Sequence, residues 1–197
     1  DEDRDKYFTE MINNIFMMFS TISLLIISFL PFVYNIIIGE SYISSYDYIP
    51  ILLYANSWNV LIGLMGEIYI AKKKTWEIAS TTIVSAILNI IINLVLIRFI
   101  GLYAACISTL LSYMIMSIYG YIDCQKYVKL KLNIRKIILF TIIFIFSYYV
   151  YLKEDRILLI VNIIIVLFYS VITNKEMLLS GIKIIKNRIS LIKNNIL

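Results

Sequence analysis

Polar side chains recur at helical spacing inside two otherwise apolar stretches of the sequence, and they are the residues best suited to binding or chemistry. Three of them lie in residues 48–71, on the face of a helix that also holds Gly63 and Gly66. Two more lie one helical turn apart in residues 78–97. In a membrane, such a stripe either lines a water-filled cavity or hydrogen-bonds a neighbouring helix. The five candidates for a substrate cavity are Asn56, Asn59, Glu67, Asn89 and Asn93.

Glu67 is the only carboxylate in these two stretches, and two interpretations of it stay open. A charged glutamate at the middle of a bilayer costs about 2.5–3.5 kcal/mol, so a role in a cavity or in proton coupling would explain its presence. Its side chain can also extend to the membrane surface beside the lysines at 72–74. The asparagines have a structural alternative too, since asparagines in membrane helices commonly join one helix to another.

The sequence holds no recognisable catalytic apparatus. It contains no histidine, and it has no carboxylate pair, nucleophile motif, phosphate-binding loop or cluster of metal ligands. Cys106 and Cys124 fall on one predicted helix, about 27 Å apart at 1.5 Å per residue, so they cannot form a disulfide with each other. We therefore predict that the protein is not an enzyme and carries no metal and no cofactor, which favours transport over catalysis.

Membrane-spanning helices are the elements that position these residues. Residues 78–97 and 102–122 are runs of 20 and 21 residues without a charged side chain, and as helices each would extend roughly 30 Å, the thickness of a bilayer core. Apolar residues make up 61% of the chain and its mean hydropathy is +0.86, as in polytopic membrane proteins. Gly101 and Ala105 predict a close-packing seam between helices. We predict an all-α protein with six transmembrane helices over residues 15–38, 48–71, 78–97, 102–122, 137–152 and 157–173.

The two terminal segments differ from these spans. Residues 1–14 predict a cytoplasmic lead-in helix whose apolar stripe continues into the first span. Residues 174–197 place apolar residues at helical spacing among Lys and Arg, which predicts a basic amphipathic cytoplasmic tail, with a short coiled coil as the alternative. The sequence starts without a methionine or a signal peptide, so we expect a piece of a longer protein.

Cations are distributed unevenly between the loops. If the loops alternate sides, 15 of the 18 Lys and Arg residues fall on the side of the two termini, and only Arg98, Lys153 and Arg156 fall on the other. Because cytoplasmic loops are enriched in Lys and Arg, this predicts that both termini are cytoplasmic. Loops that face an anionic leaflet then explain the pI of 9.1, and nucleic acid is not expected as a partner.

Two stretches resemble motifs of a known family. Residues 31–42 (PFVYNIIIGESY) are similar to the span-ending proline and Gly-Glu-x-Tyr loop of bacterial polysaccharide flippases, the Wzx-type exporters of lipid-linked oligosaccharides. Residues 101–109 (GLYAACIST) resemble that family's Gly-x-x-Gly-Ala-Ala-x-x-Thr hairpin, and the lysines at 72–74 fall where the family has a basic turn. Arg98 stands where the family usually has proline, and Ala104 replaces the second glycine of the hairpin.

The resemblance implies a member of the multidrug, oligosaccharidyl-lipid and polysaccharide exporter superfamily. Such an exporter has two six-helix lobes around a central cavity and works by alternating access, and this chain would supply most of the second lobe. The implied function is to move an undecaprenyl-pyrophosphate-linked oligosaccharide, as in O-antigen or capsule synthesis, from the cytoplasmic to the outer leaflet of the bacterial inner membrane. The implied partners are that lipid-linked oligosaccharide, the bilayer and the missing N-terminal lobe.

Two alternatives stay open from the sequence. One is a fragment of a membrane-embedded polysaccharide polymerase or acyltransferase of the same pathway, which would need a large outer loop with histidine or paired carboxylates upstream. The other is a truncated reading frame without function, because half of a two-lobed transporter has no closed cavity.

Overall fold

The structure, a computed structural model, describes residues 2–37 and 40–175 of the chain. Over these ranges the protein consists of six long α-helices and one 3₁₀ segment, Glu40–Tyr48. The predicted lead-in and first span form one continuous helix that passes through Pro31. Most of the predicted amphipathic tail, residues 176–197, lies outside the described ranges. The helices are α1 Glu2–Ile37, α2 Ile49–Ala71, α3 Thr75–Ile100, α4 Tyr103–Cys124, α5 Ile134–Lys153 and α6 Arg156–Thr173.

Each of these six helices is long and apolar enough to cross a membrane. Their most hydrophobic windows have mean hydropathies between 1.3 and 2.4. In α3 no residue of that window is buried, and large side chains such as Leu94 and Phe99 are 67% and 80% exposed. Proteins that fold in water rarely present a continuous apolar surface of this extent. The prediction of an all-α, polytopic membrane protein is therefore confirmed.

The helices pack in two groups that are joined through α1 and α2. In one group α1 packs against α5 and α6, and in the other α4 packs along both α2 and α3. Tyr54 of α2 bridges the groups, because its ring lies 4.9 Å from that of Phe144 and its hydroxyl shares a 2.9 Å hydrogen bond with Thr141. Consecutive helices α2 and α3 have few contacts with each other. As a result, α3 is attached to the bundle mainly through α4.

Small residues let α4 approach both of its neighbours. Its residues Ala104, Ser108 and Ser112, each one turn after the last, are fully buried, as expected of a close helix contact in a membrane. The predicted seam at Gly101 and Ala105 is wrong, because Ala105 is exposed and nothing lies within 4 Å of where a Cβ on Gly101 would be. The buried seam begins at Ala104, one residue before Ala105. Gly101 instead ends α3, with a positive φ of 56°.

The contact between α2 and α4 is closest near Gly120. A Cβ added at Gly120 would lie 3.1 Å from the sulfur of Met65, which is tighter than ordinary van der Waals contact. One turn earlier, the hydroxyl of Ser117 donates a 2.8 Å hydrogen bond to the carbonyl of Trp58 on α2. Gly120 and Ser117 therefore keep α2 and α4 in register.

The segment between α4 and α5 is bound to the start of α1 by a ladder of hydrogen bonds. Three side chains of α1, at positions 5, 9 and 13, lie one helical turn apart. Each accepts a hydrogen bond from a backbone N–H of residues 129–133, where every second N–H is used. Four helical residues rise about 6 Å, which is close to the span of two residues in a near-extended chain, so the two spacings match. The three pairs are Lys129 with Asp5, Lys131 with Thr9 and Asn133 with Asn13, at 3.0, 3.3 and 2.8 Å.

One end of the bundle, which we call the basic end, collects the start of α1, the α2–α3 turn and the α4–α5 segment. The hydroxyl of Tyr127 donates to Glu77 at the start of α3, at 3.4 Å. At the close of α4, the ammonium group of Lys126 pairs with the carboxylate of Asp123. This carboxylate raises the pKa of Lys126 above its ordinary value. Most of the described Lys and Arg residues belong to this end.

The opposite end, which we call the tyrosine end, collects the 3₁₀ segment, the α3–α4 turn and the α5–α6 turn. Tyr48 packs edge-on against Tyr103 of α4, with ring centroids 4.8 Å apart. Tyr46 stacks on Tyr151 of α5 at 4.2 Å. Rings with a polar tip suit a membrane–water interface. The described cations of this end are Arg98, Lys153 and Arg156.

Candidate functional site

Two adjoining cavities open between α2 and α3, where these helices diverge. We call them the Glu67 cavity, of about 320 Å³, and the Asn89 cavity, of about 420 Å³. Asn59, Thr81 and Thr82 border both, so we treat the two as one space, the α2–α3 cleft. Each volume is within the range of small-molecule sites in proteins.

Glycines on α2 contribute to the width of the cleft. Gly63 and Gly66 border the Glu67 cavity, and a Cβ built on either would have no atom within 4 Å. No contact among the described helices therefore requires glycine at these two positions. Gly120 behaves differently, because a Cβ there would crowd the sulfur of Met65, which would have to shift by a few tenths of an ångström. The glycines of α2 thus leave the cleft open, whereas Gly120 of α4 closes a helix interface.

The structure brings three of the five predicted residues to the cleft. Asn59 is half-buried between the two cavities, Glu67 borders the first and Asn89 borders the second. Asn56 is exposed on α2 and borders neither cavity. Asn93 also borders neither, and its side-chain oxygen is enclosed without a hydrogen-bond partner among the described residues. The stripes predicted on α2 and α3 therefore face the cleft over only part of their length.

Asn89 joins α3 to α4 as well as bordering the cleft. Its amide nitrogen donates to the hydroxyl of Thr109 at 3.0 Å, and its amide oxygen accepts from the hydroxyl of Ser108 at 3.3 Å. Hydrogen bonds between membrane helices contribute about 0.6 kcal/mol on average. Because both polar atoms of the amide are already used, Asn89 is better placed to hold the wall of the cleft than to bind within it.

Glu67 has no partner of this kind. Its side chain is exposed, and it makes no ion pair or hydrogen bond with another described residue, including the lysines of the α2–α3 turn. The carboxylate therefore remains available to a ligand inside the cavity that it borders. Because the side chain is exposed, this geometry is compatible with both interpretations from the sequence.

Hydroxyl groups of α3 complete the polar wall. Ser85 lies on the stripe of Asn89 and Asn93 that the sequence predicts, whereas Thr81 and Thr82 were not predicted. Thr81 and Ser85 precede Asn89 by eight and four residues, so the stripe is longer than the asparagines alone indicate. The hydroxyls of Thr81 and Thr82 each donate to the carbonyl of Ile78 at 2.9 Å. These bonds satisfy the hydroxyl protons inside the helix and leave oxygen lone pairs for a ligand. A repeat of four residues starting at Thr81 was the signal that could have found them.

A second polar cluster lies at the contact of α1, α5 and α6, away from the cleft. The amide of Asn162 donates to Ser28 at 2.9 Å and accepts from Ser147 at 2.9 Å. All three side chains are buried. Because their hydrogen bonds are made with one another, this cluster holds three helices together and does not form a binding site. The sequence shows Asn162 only as a single polar residue in an apolar run.

The α2–α3 cleft combines one amide, one carboxylate and several hydroxyls in a wall of apolar side chains. Such groups can bind a hydroxyl-rich ligand through hydrogen bonds. No group of three or more His, Cys, Asp or Glu side chains that could hold a metal occurs among residues 2–37 and 40–175. Comparison with models of protein families, with curated proteins and with solved structures found no match to this chain.

Proposed function

We propose that the chain is the C-terminal portion of a transporter that moves an undecaprenyl-pyrophosphate-linked oligosaccharide from the cytoplasmic to the outer leaflet of the bacterial inner membrane. The observation that carries the proposal is the α2–α3 cleft, a polar path beside the most exposed helix of a membrane bundle. A saccharide needs hydrogen-bonding groups at that depth, because no water is available in the bilayer core. Its lipid chain needs no such path.

The apolar surface of α3 supports this division between sugar and lipid. The sugar would lie in the cleft on one side of α3, while the lipid chain stays in the bilayer against exposed side chains such as Ile83 and Ile87, which are 54% and 50% exposed. Helix α3 packs against α4 and has few contacts with α2. An opening between helices allows a bulky head group to enter sideways while its lipid stays outside.

Charge supports the orientation that the proposal needs. In it the basic end faces the cytoplasm, since Lys and Arg are enriched in cytoplasmic loops. The α4–α5 segment, with Lys129 and Lys131 exposed on the hydrogen-bonded ladder, would then lie against an anionic leaflet. The tyrosine end would be the side on which the sugar is released.

Alternating access would require a second set of helices to close the cleft. We propose that a first lobe of the same protein covers the open side of the α2–α3 cleft and that the two lobes rock about it. Glu67, which borders the cleft, would accept hydrogen bonds from hydroxyl groups of the sugar. Asn59, between the two cavities, would contact the sugar throughout its passage.

An export assay tests the proposal, carried out in the native cell with the whole reading frame in place. We expect Asn59→Leu to lower the rate of polysaccharide export about tenfold, as loss of one well-made hydrogen bond to the moving sugar would do. Lipid-linked oligosaccharide should then accumulate in the inner membrane. The readouts are surface polysaccharide and the extracted lipid intermediate, with protein abundance measured by immunoblot.

Asn56→Leu is the matched control, because it is the same substitution three residues away at an exposed position outside both cavities. Export should be unchanged in that variant. Equal export in the wild type and Asn59→Leu, at equal abundance, would contradict the proposal. Normal export after Asn89→Leu would remove that residue from the sugar path while leaving Asn59 and Glu67 in it. Asn93→Leu, outside both cavities, should leave export unchanged.

A further inference from the structure

A third cavity, of about 800 Å³, opens at the tyrosine end and is separate from the α2–α3 cleft. We call it the tyrosine-end pocket. It lies between the last turns of α1, the 3₁₀ segment and the α5–α6 turn. The residues that define its chemistry are Phe32, Tyr34, Tyr46, Asp47, Glu154 and Arg156.

Its aromatic side is held rigidly. Tyr46 stacks on Tyr151 with ring planes 16° apart, and its ring meets that of Tyr34 edge-on at 4.8 Å. Tyr151 is fully buried and its hydroxyl donates to the backbone carbonyl of Tyr46 at 2.9 Å. Tyr46 is half-buried between the rings of Tyr34 and Tyr151 and borders the pocket. Phe32 is 45% exposed and adds a second aromatic surface.

Its other side is charged. Asp47, Glu154 and Arg156 are exposed, and none forms an ion pair with another described residue. The carboxylate of Glu154 lies within hydrogen-bonding reach of the Tyr46 hydroxyl, so the charged side and the aromatic side of the pocket meet there. Glu154 occupies a left-handed backbone conformation at the end of α5, with φ of 51°. This conformation normally favours glycine or asparagine. Asp155, by contrast, has a structural task, because its carboxylate accepts hydrogen bonds from the backbone amides of Ile157 and Leu158 in the first turn of α6.

We infer that the tyrosine-end pocket binds a neutral or amino-substituted hexose unit. A pyranose has an apolar face of C–H groups that packs on an aromatic ring and an edge of adjacent hydroxyls that donate to a carboxylate. The pocket presents both kinds of surface, and its volume fits a small saccharide. With two carboxylates and one guanidinium, its charge favours a neutral or cationic sugar over a uronic acid.

The inference deepens the proposed function, on which its biological meaning rests. In the proposed orientation the pocket lies on the outer side, where a sugar leaving the cleft would be received. Binding of a free glycoside to the pocket does not itself require transport, so the two can be tested separately. A failure of this inference leaves the export prediction for Asn59 unaffected.

Ligand-observed saturation-transfer NMR on the whole chain in lipid nanodiscs tests the inference. Nanodiscs avoid detergents with sugar head groups, which would compete for the pocket. The probes are the methyl glycosides of glucose, glucosamine and glucuronic acid. We expect saturation of the ring C–H protons of the first two, with the glucosaminide binding at least as tightly as the glucoside and the glucuronide binding most weakly. Absence of saturation transfer to all three, or the reverse order, would overturn the inference.

Variants on the α5–α6 turn make the test specific. Glu154→Asn removes the charge and keeps a residue that tolerates the left-handed conformation, so the fold is preserved while affinity for the glucosaminide drops about tenfold, the effect of losing one charged hydrogen bond. Asp155→Asn also removes one negative charge, next to the pocket, but retains the helix cap. Its affinity should match the wild type. Equal affinity in the wild type and Glu154→Asn would refute the assignment of Glu154.

Discussion

Replacing Asn162 with leucine should destabilise the contact of α1, α5 and α6. The side chain makes two hydrogen bonds to other helices, to Ser28 at 2.9 Å and to Ser147 at 2.9 Å. At about 0.6 kcal/mol for each interhelical bond, Asn162→Leu removes about 1.2 kcal/mol, with an upper value of about 3.4 kcal/mol if both bonds are of the strongest kind measured in membranes. Leucine has nearly the same shape as asparagine, so no large cavity results.

Leucine does not recover this loss by its greater hydrophobicity. In a soluble protein, burying leucine in place of asparagine would gain transfer free energy from water. Here the separated helices are surrounded by lipid, which is as apolar as the protein interior. The loss of the two hydrogen bonds is therefore not offset by a gain in transfer free energy, as it would be in part in a water-soluble bundle.

The assay is reversible unfolding in mixed micelles with increasing denaturing detergent, followed by circular dichroism. A double-mutant cycle with Ser147→Ala isolates the pair, and we expect a coupling free energy of about 0.6 kcal/mol. Asn56→Leu, at an exposed position on α2, is the control and should change stability by less than about 0.5 kcal/mol. An Asn162→Leu variant as stable as the wild type, or a coupling near zero, would refute the reasoning.

Two further predictions concern the interfaces. Asn13→Leu removes the side chain that bonds Asn133, so amide hydrogen exchange across residues 129–133 should become faster. Asn14→Leu, at the next and exposed position, is the control and should leave exchange unchanged. Unchanged exchange in both variants would contradict the ladder. Gly120→Leu should lower the free energy of unfolding by about 1–3 kcal/mol, because the larger side chain forces α4 away from α2. Gly63→Leu, whose side chain points into open space, should leave stability unchanged in the same unfolding assay. Equal losses would show that the two glycines do not differ.

The number and approximate extent of the membrane helices followed from the sequence because they depend on local composition. A run such as residues 78–97 has no charge and is long enough to cross a bilayer, whatever the rest of the chain does. The Lys and Arg content of the loops is also a local property, so it predicted which loops lie together at each end of the bundle. Contacts such as Tyr127 with Glu77 place together loops that the alternation assigns to one side.

The faces of the helices were harder to predict, because packing depends on which neighbour each helix meets. Ala104 and Ala105 are adjacent and similar, and only the approach of α2 and α3 decides that the first is buried. In the same way, Asn89 and Asn93 share a stripe, but the divergence of α3 from α2 leaves one at the cleft and the other outside both cavities. Asn162 belongs to no polar stripe in the sequence, because its hydrogen-bond partners lie on two other helices.

The tyrosine-end pocket could not have been predicted from sequence patterns. Its walls come from three separate parts of the chain, and tyrosines near the end of a span are also typical of the membrane interface. Only the stacking of Tyr46 on Tyr151 shows that the ring is fixed beside a cavity. Sequence periodicity reports the face of one helix at a time and carries no information on such an assembly.

Photocrosslinking inside the α2–α3 cleft tests whether the sugar crosses the membrane there. A benzophenone amino acid would replace Thr82, which borders both cavities, in the full reading frame in cells that make radiolabelled lipid-linked oligosaccharide. Ile83, the next residue and 54% exposed on α3, borders neither cavity and is the control position. We expect a crosslink to the labelled sugar from position 82 and a crosslink to the lipid chain alone from position 83. Labelled sugar at both positions, or at neither, would contradict the proposal.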